Sequence, residues 1–445
     1  MSIIDSIREA GVVGAGGAGF PTHVKLNTGG RAEVVIANGA ECEPLLRVDQ
    51  LLMQREAARI VRGLELAMEA SGAKEGVIAT KHHYEGAVAA MQAAIAGKPN
   101  IRLHLMEAYY PSGDEKSLIF EVTGRVVPSA KLPLDVGCVV SNVASLYNIA
   151  MAAEGQPVIH KDVTVCGDVP SPLTITAAVG TPARELIALS GFSGREEDYA
   201  LIFGGPCMGK LVSDWGSPIT KTTGGLLILK KSHPMILKRS LTPERQLKLA
   251  RAVCCQCSQC TQLCPRNALG LHVQPHKAMR ALTTGNGALL GNSLSVLACS
   301  SCTLCTNYSC NMGLNPSSVM AMLKAEMGKQ GIRPVPETDI TPDPFIVQKR
   351  VPVKRLIARM GLSAFDTAAP WQPGVYQPKK ATLPLSQHVG KPSQPVVAVG
   401  QKVRAGEVIG QIPEKSLGAM LHASISGTVT AVTDKFIEIT GGETV

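Results

Sequence analysis

The chain has 445 residues, a formal net charge of +9, 45% hydrophobic residues and only 4% aromatic residues. That length suits about three domains, and the hydrophobic share supports ordinary buried cores, which excludes disordered and collagen-like classes. Scarce aromatics argue against a base-stacking surface for single-stranded nucleic acid, and no stretch approaches the roughly 20 apolar residues of a bilayer span.

The first residues, MSIIDSIREAG, carry Asp5 and Glu9 and lack an apolar signal-peptide core. A soluble cytoplasmic protein is expected, not an integral membrane protein. Residues 3–10 read as a short amphipathic helix with Ile3, Ile4 and Ile7 on one face. A glycine-rich loop follows from Gly11 to Gly19, where Gly14, Gly16 and Gly19 match G-x-G-x-x-G. A helix precedes it rather than a strand, so on pattern alone an interdomain turn competes with a phosphate cradle. Exposed N–H groups and the nearby Lys25 would suit a phosphate.

An alternating pattern comes next. Glu33–Ala37 predicts a strand, Asp49–Ala70 a helix, Gly76–Thr80 a strand, Tyr84–Ala96 a helix and Ile101–Met106 a strand. This order implies a right-handed parallel sheet, with ligands beyond the strand ends at Asn38, Lys81 and Glu107. Asp162–Asp168 then alternates and Ala183–Ser190 is a short helix, which suggests a small module of the β-grasp kind. Glycine-punctuated strands return at 207–230. The region from about 245 to 330 reads as mainly helical. Residues 333–380 are rich in Pro and basic residues and should wrap or link, and 381–445 has the short strands and Gly/Pro turns of a small β-barrel or sandwich.

Eight of the 13 cysteines fall in two runs. Cys254, Cys257, Cys260 and Cys264 have the spacing C-x2-C-x2-C-x3-C followed by Pro265, the bacterial ferredoxin run. Cys299, Cys302, Cys305 and Cys310 form the second, one residue longer at its last interval and followed by Asn311. Two runs imply two 4Fe–4S clusters. In two-cluster ferredoxins the fourth cysteine serves the other cluster. Cys254, Cys257, Cys260 and Cys310 would therefore hold one cluster, and Cys299, Cys302, Cys305 and Cys264 the other. A pair of zinc sites fits poorly, because zinc favours two separated CxxC knuckles. Cys255 is out of register, and Cys42, Cys138, Cys166 and Cys207 read as small buried hydrophobes. From Lys230 to Arg280 ten Lys or Arg face one acid, Glu244. Such a stretch suits a reduced cluster or an acidic partner, or simply a solvated face. No recognition helix or aromatic platform accompanies it, so no nucleic acid is expected.

VGAGGAGFPTHVKL (13–26), ANGAECEPLL (37–46), YPSGDEKSLI (110–119) and VVSNVASLYNI (139–149) resemble, in this order, the flavin-site segments of the FMN-bearing subunit of respiratory complex I, and more closely those of the C component of the Rnf electron-transport complex. The resemblance implies an FMN site built from Gly14, Gly16, Gly17, Gly19, Lys25, Asn38, Gly113, Glu115 and Asn142, with Glu41 and Glu43 as catalytic acids. Ala40 and Asp114 stand where the complex I signature has Asp and Glu respectively, which puts the contacts made there to flavin or nicotinamide in question. The implied fold class is α/β: a Rossmann-like FMN/NADH-binding domain (1–155), a β-grasp SLBB-like module (156–230), a double 4Fe–4S ferredoxin-like domain (240–330), a linker (331–380) and a lipoyl/biotinyl-like hybrid barrel (381–445). The stretch SLGAMLHAS (416–424) has no lysine for a swinging arm, so the barrel is expected to be structural.

A hybrid barrel at the C-terminus resembles the cobalamin reductases of bacterial propanediol-utilisation microcompartments. This implies that NADH reduces FMN, that the clusters pass single electrons on, and that cobalamin is the substrate, cob(III)alamin going to cob(II)alamin and cob(I)alamin to reactivate a diol dehydratase. Cobalamin adenosyltransferase, the dehydratase and shell proteins are the implied partners. His82 and His83 read as pocket lining or surface rather than cobalt ligands. An Rnf-type electron-transport subunit, or a flavin-free carrier or docking subunit, are the alternatives.

Overall fold

The computed structural model describes residues 2–291, 293–337 and 339–441. Helix α1 (Ile3–Glu9) is closed at its start by a capping box between Ser2 and Asp5, and a short α2 (Thr22–Leu26) follows the glycine loop. Strands β1 (Val34–Gly39), β2 (Glu75–Lys81) and β3 (Ile101–Met106) lie where the alternation placed them. With β5 (Cys138–Asn142) they form a parallel sheet of order β3-β2-β1-β5, while β4 (Tyr109–Tyr110) stands outside it. Val34, Val35, Ile36 and Ala37 are all buried, as a strand covered on both faces requires.

One face is covered by α3 (Val48–Arg55), α4 (Ala57–Ser71), α5 (Glu85–Ala94) and α7 (Val143–Ala153), the other by α6 (Glu115–Thr123). The single helix expected over Asp49–Ala70 is two. Glu56, at φ −120°, breaks it, because α3 carries Asp49 to the strand ends while α4 lies along α7. That packing needs Gly63: a Cβ there would stand 1.9 Å from the Leu146 carbonyl oxygen.

A second sheet follows. It contains β6 (His160–Gly167), β7 (Leu173–Ala178), β8 (Tyr199–Phe203), β9 (Lys210–Val212) and β10 (Gly225–Lys230), with α8 (Ala183–Ala188) packed on Val163 and Val165. The cysteine region holds α9 (Pro234–Arg239), α10 (Pro243–Val253), α11 (Gln259–Gln262), α12 (Pro265–Ala268), α13 (Pro275–Thr284) and α14 (Pro316–Lys329).

The described residues of 331–380, a stretch expected to wrap or link, wrap the molecule with elements of their own. β11 (Val351–Pro352) pairs with β4 across more than half the chain, α15 (Val353–Arg359) follows, and β12 (Trp371–Tyr376) joins the edge of the second sheet beside β7. The Pro-rich composition shows the wrapping but not these two strands and this helix. Val351, Leu356, Ile357, Met360 and Leu362 are buried in a core shared with Tyr110 and Leu304, and that burial outweighs the weak local strand preference. The last residues form two facing sheets, β13 (Lys380–Pro384) with β15 (Lys402–Val403), β18 (Gly427–Val432) and β19 (Phe436–Gly441), and β14 (Gln394–Pro395) with β16 (Val408–Gln411) and β17 (Leu421–His422). Their apolar side chains close one core with Ala178 and Val179 of the second sheet.

Candidate functional site

The carboxyl ends of β1, β2 and β5 bring Asn38, Lys81 and Asn142 together, at the rim where parallel sheets bind ligands. Each is tied down. The Asn38 Nδ2 donates to the Gly113 carbonyl at 3.0 Å, and its Oδ1 accepts from the Ala40 N–H at 3.1 Å. Asn142 caps α7 by accepting from the Ala144 N–H at 2.9 Å, and its Nδ2 donates to Asp49 at 2.7 Å. Gly113 lies so close to this rim that a Cβ would meet the Ala40 carbonyl oxygen at 2.8 Å.

The glycine loop passes over Asn142. A Cβ on Gly16 would lie 3.1 Å from the Asn142 amide, and Gly17 adopts φ +106° with open space around it. Below, the loop is anchored: the Ala15 N–H donates to Ser145 Oγ, and the buried Lys161 ammonium donates to the Ala15 carbonyl, both at 2.8 Å. Its tip, Gly16 to Ala18, is exposed. The Lys25 ammonium sits near the same edge, donating to the Val140 carbonyl at 2.6 Å and pairing with Glu115 at 3.2 Å. An exposed glycine tip over strand ends, with a lysine beside it, suits an anionic phosphate. The Gly16 backbone lies close on the Asn142 amide, which fixes the loop against the strand end.

The acidic segment divides. Glu41 stays at the rim, where Lys81 donates to its carbonyl and its carboxylate accepts from the Glu43 N–H at 2.9 Å. Burial raises the pKa of Glu41 and lowers that of Lys81. Glu43 turns away. Its carboxylate accepts from the N–H groups of Cys207 and Met208 at 2.9 and 2.8 Å, and burial, opposed by these bonds, pushes it up to about 7. Gly205 leaves it room, since a Cβ there would stand 2.2 Å from the carboxylate. Asp49, pushed up to about 7 by burial, and Lys161 join the rim although no sequence motif singles out either. Asp49 is visible in the sequence only as an acid at a helix start, and nothing local marks Lys161.

The cysteines gather in two crossed quartets. Cys260 is pushed up to about 12 by burial and by the neighbouring sulfurs of Cys310, Cys254 and Cys257. Cys264 is raised by burial and by Cys302 and Cys299, and Cys305 by burial and by Cys302, Cys299 and Cys264, with Cys260 of the other quartet the last and smallest contributor. Mutual repulsion among uncompensated thiolates is what cationic iron would relieve. The backbone repeats in both loops: φ is positive at Gln256 and Ser258, and at Ser301 and Thr303, the same two positions after the first cysteine of each run. Left-handed residues between right-handed ones turn successive N–H groups inward as an anion nest. Gln256 Nε2 donates to Cys254 Sγ at 3.2 Å and the Ser301 N–H to Cys299 Sγ at 3.4 Å. No three His, Cys, Asp or Glu among the described residues close around a single-ion position. The four irons of a cube hold their thiolates farther apart than one ion does, and the repeated nests and sulfur quartets fit two such cubes. Of the isolated cysteines, Cys138, Cys166 and Cys207 are buried and Cys42 is half-buried, while Cys255 is exposed.

Residues 7–151 match the Nuo51 FMN-binding domain, 253–315 a 4Fe-4S dicluster domain and 374–444 the RnfC barrel sandwich hybrid domain. The cobalamin reductase PduS of Salmonella typhimurium is 44% identical over 99% of this chain and 96% of its own length. That of Citrobacter freundii is 41% identical over 99% and 97%. The C component of the Na(+)-translocating ferredoxin:NAD(+) oxidoreductase complex of Acetobacterium woodii is 37% identical over 60% of this chain and 58% of its own.

Proposed function

The chain belongs to the cobalamin reductase PduS family, and on that premise we propose that it takes electrons from NADH and delivers them singly to the cobalt of cobalamin, from cob(III)alamin to cob(II)alamin and on to cob(I)alamin. The observation that carries this reading is full-length likeness to two cobalamin reductases in a chain with both an FMN-binding domain and a dicluster domain. Bound FMN supplies the exchange between paired and single electrons, and the two clusters supply one-electron relays.

The chain's own residues hold, orient and insulate these groups. The exposed N–H groups of Gly16 and Gly17, with Lys25, bind the flavin phosphate, while Gly14 and Gly19 shape the loop, their N–H groups donating to the Phe20 and Gly14 carbonyls at 2.9 and 3.0 Å. Asn38, Gly113, Glu115 and Asn142 line its ring edge. Glu41, half-buried beside Lys81, faces the reacting end and orients the nicotinamide. Glu43 is a positioning residue, because its carboxylate is committed to Cys207 and Met208. Cys254, Cys257, Cys260 and Cys310 hold one cluster, and Cys264, Cys299, Cys302 and Cys305 the other.

Among the described residues no helix is long and apolar enough to cross a membrane. We place the protein within a propanediol-utilisation microcompartment, handing reduced corrinoid to an adenosyltransferase that serves diol dehydratase, with shell proteins as neighbours. The test is anaerobic: protein containing flavin and iron, NADH, and cob(III)alamin as sole acceptor. NADH consumption matched by the corrinoid's change in visible spectrum is expected. No corrinoid reduction by protein whose flavin NADH does reduce would overturn the assignment.

A further inference from the structure

Direct contacts join the flavin-binding half to the cysteine loops, and they land on one quartet. The Tyr110 hydroxyl, at the end of β4, donates to the Cys302 carbonyl at 2.7 Å. Arg266, two residues beyond Cys264, pairs with Asp114 at 2.6 Å. Thr303 donates at 3.1 Å to the carbonyl of Cys207, whose N–H is held by Glu43. Cys42, Tyr110, Cys302 and Leu304 share one apolar cluster. Bonded, packed matter thus runs unbroken from the acidic segment of the flavin rim to the loop of Cys302.

Among the described residues, the bonds from the loops of the other quartet go to residues outside the flavin-binding half. Asn311 donates to Gln259 at 2.7 Å, and Arg359 donates to Asn311 at 3.2 Å. It is also the quartet that reaches solvent. It does so through Cys257, which is exposed together with its neighbours Cys255 and Gln256, whereas Cys254, Cys260 and Cys310, like all four of Cys264, Cys299, Cys302 and Cys305, are half-buried. The helix leading into Cys254 presents exposed Lys248 and Arg251. These cations suit the phosphodiester of a cobalamin's nucleotide tail.

We propose that the quartet of Cys264, Cys299, Cys302 and Cys305 receives electrons from the flavin side, and that the quartet of Cys254, Cys257, Cys260 and Cys310 delivers them to the corrinoid at the exposed Cys255–Cys257 loop. The acceptor's name rests on the function proposed above; the order of the two centres rests on the contacts alone. The electrons balance: one NADH becomes NAD+ and releases one proton, and its electron pair, divided, reduces two cob(III)alamin to two cob(II)alamin.

The experiment compares Cys257→Ala and Cys302→Ala in the full chain, prepared without oxygen, with flavin and iron measured in each. Each should keep FMN and about four irons, one cube. NADH is added without corrinoid, and bleaching of the remaining cluster is followed by absorbance and electron paramagnetic resonance. In Cys257→Ala the remaining cluster should bleach as fast as in the unchanged protein, and transfer to corrinoid should be lost. In Cys302→Ala the flavin should be reduced while the remaining cluster stays oxidised. Equal bleaching in both variants, or bleaching only in Cys302→Ala, overturns the order. Full corrinoid reduction by Cys257→Ala overturns the exit. If either variant fails to load, Cys257→Ser and Cys302→Ser identify the two spectroscopic signals, and in the unchanged protein mixed rapidly with NADH the signal moved by Cys302→Ser must rise first. Its rising second has the same overturning force. Because bleaching is read without corrinoid, failure of the unchanged protein to reduce cobalamin counts against the function and leaves the order tested.

Discussion

Asp114 and Arg266 lie 2.6 Å apart as an ion pair, with each side chain only 10% exposed. Asp114 does two things. Its second oxygen caps α6, accepting from the N–H and hydroxyl of Ser117 at 3.2 and 3.0 Å. A short carboxylate can cap its own helix and still reach an arginine, which gives a physical reason for aspartate where the complex I signature has glutamate.

Removing one partner of a pair this enclosed strands the other charge, at a cost of about 3–5 kcal/mol. Asp114→Asn and Arg266→Met should each lower the denaturant midpoint strongly, and the double variant should recover part of the loss. A double-mutant cycle by urea unfolding measures this. Strictly additive losses would mean that the two side chains are not coupled.

The crossed quartets make a specific demand on Cys310 and Cys264. Cys310→Ala should lose the same paramagnetic signal as Cys257→Ala, and Cys264→Ala the same as Cys302→Ala, each with about four irons remaining. Ligation within each run would exchange the two results, and spectra of the four variants decide between them.

Gly16 tests the flavin rim. A valine there would press its branched side chain into the Asn142 amide, since even a Cβ comes within 3.1 Å. Gly16→Val should release FMN while iron stays at about eight per chain. Flavin fluorescence after denaturation and an iron assay read the two independently. Full FMN retention would place the ring elsewhere.

Lys221 is buried, with its ammonium donating to the Gly11 and Met420 carbonyls at 2.8 and 2.9 Å. Burial lowers its pKa from 10.5 to about 7. The unfolded chain therefore binds more protons than the folded one above pH 7, so this group's contribution to stability rises with pH from about 7 toward 10 and is least favourable below 7. Urea midpoints at pH 7, 8 and 9 should climb in the unchanged protein relative to Lys221→Met. Parallel profiles for the two proteins would mean that Lys221 does not titrate in this range.

Local periodicity carries much of the fold. It bounds Ile101–Met106 to the residue, and β1, β2 and α5 to within two residues, because apolar alternation between breakers depends only on neighbours in the chain. The same periodicity runs through Glu56 as helix, since the break answers to Asp49 reaching Asn142, a partner far along the sequence. Glu43 shows the same limit at the site. Its motif marks it as an acid near the flavin, but only the approach of Gly205 and Cys207 decides where its carboxylate points.

The sequence by itself determined the chemistry: cysteine spacing in two runs, a glycine loop, and strands that must lie parallel, all set by intervals of a few residues. Tertiary structure alone decided how those parts are joined. Arg266 meets Asp114, Tyr110 meets Cys302 and β11 meets β4 across separations of more than a hundred residues. Burial and charge pairing choose such partners in three dimensions, and no local pattern along the chain encodes them.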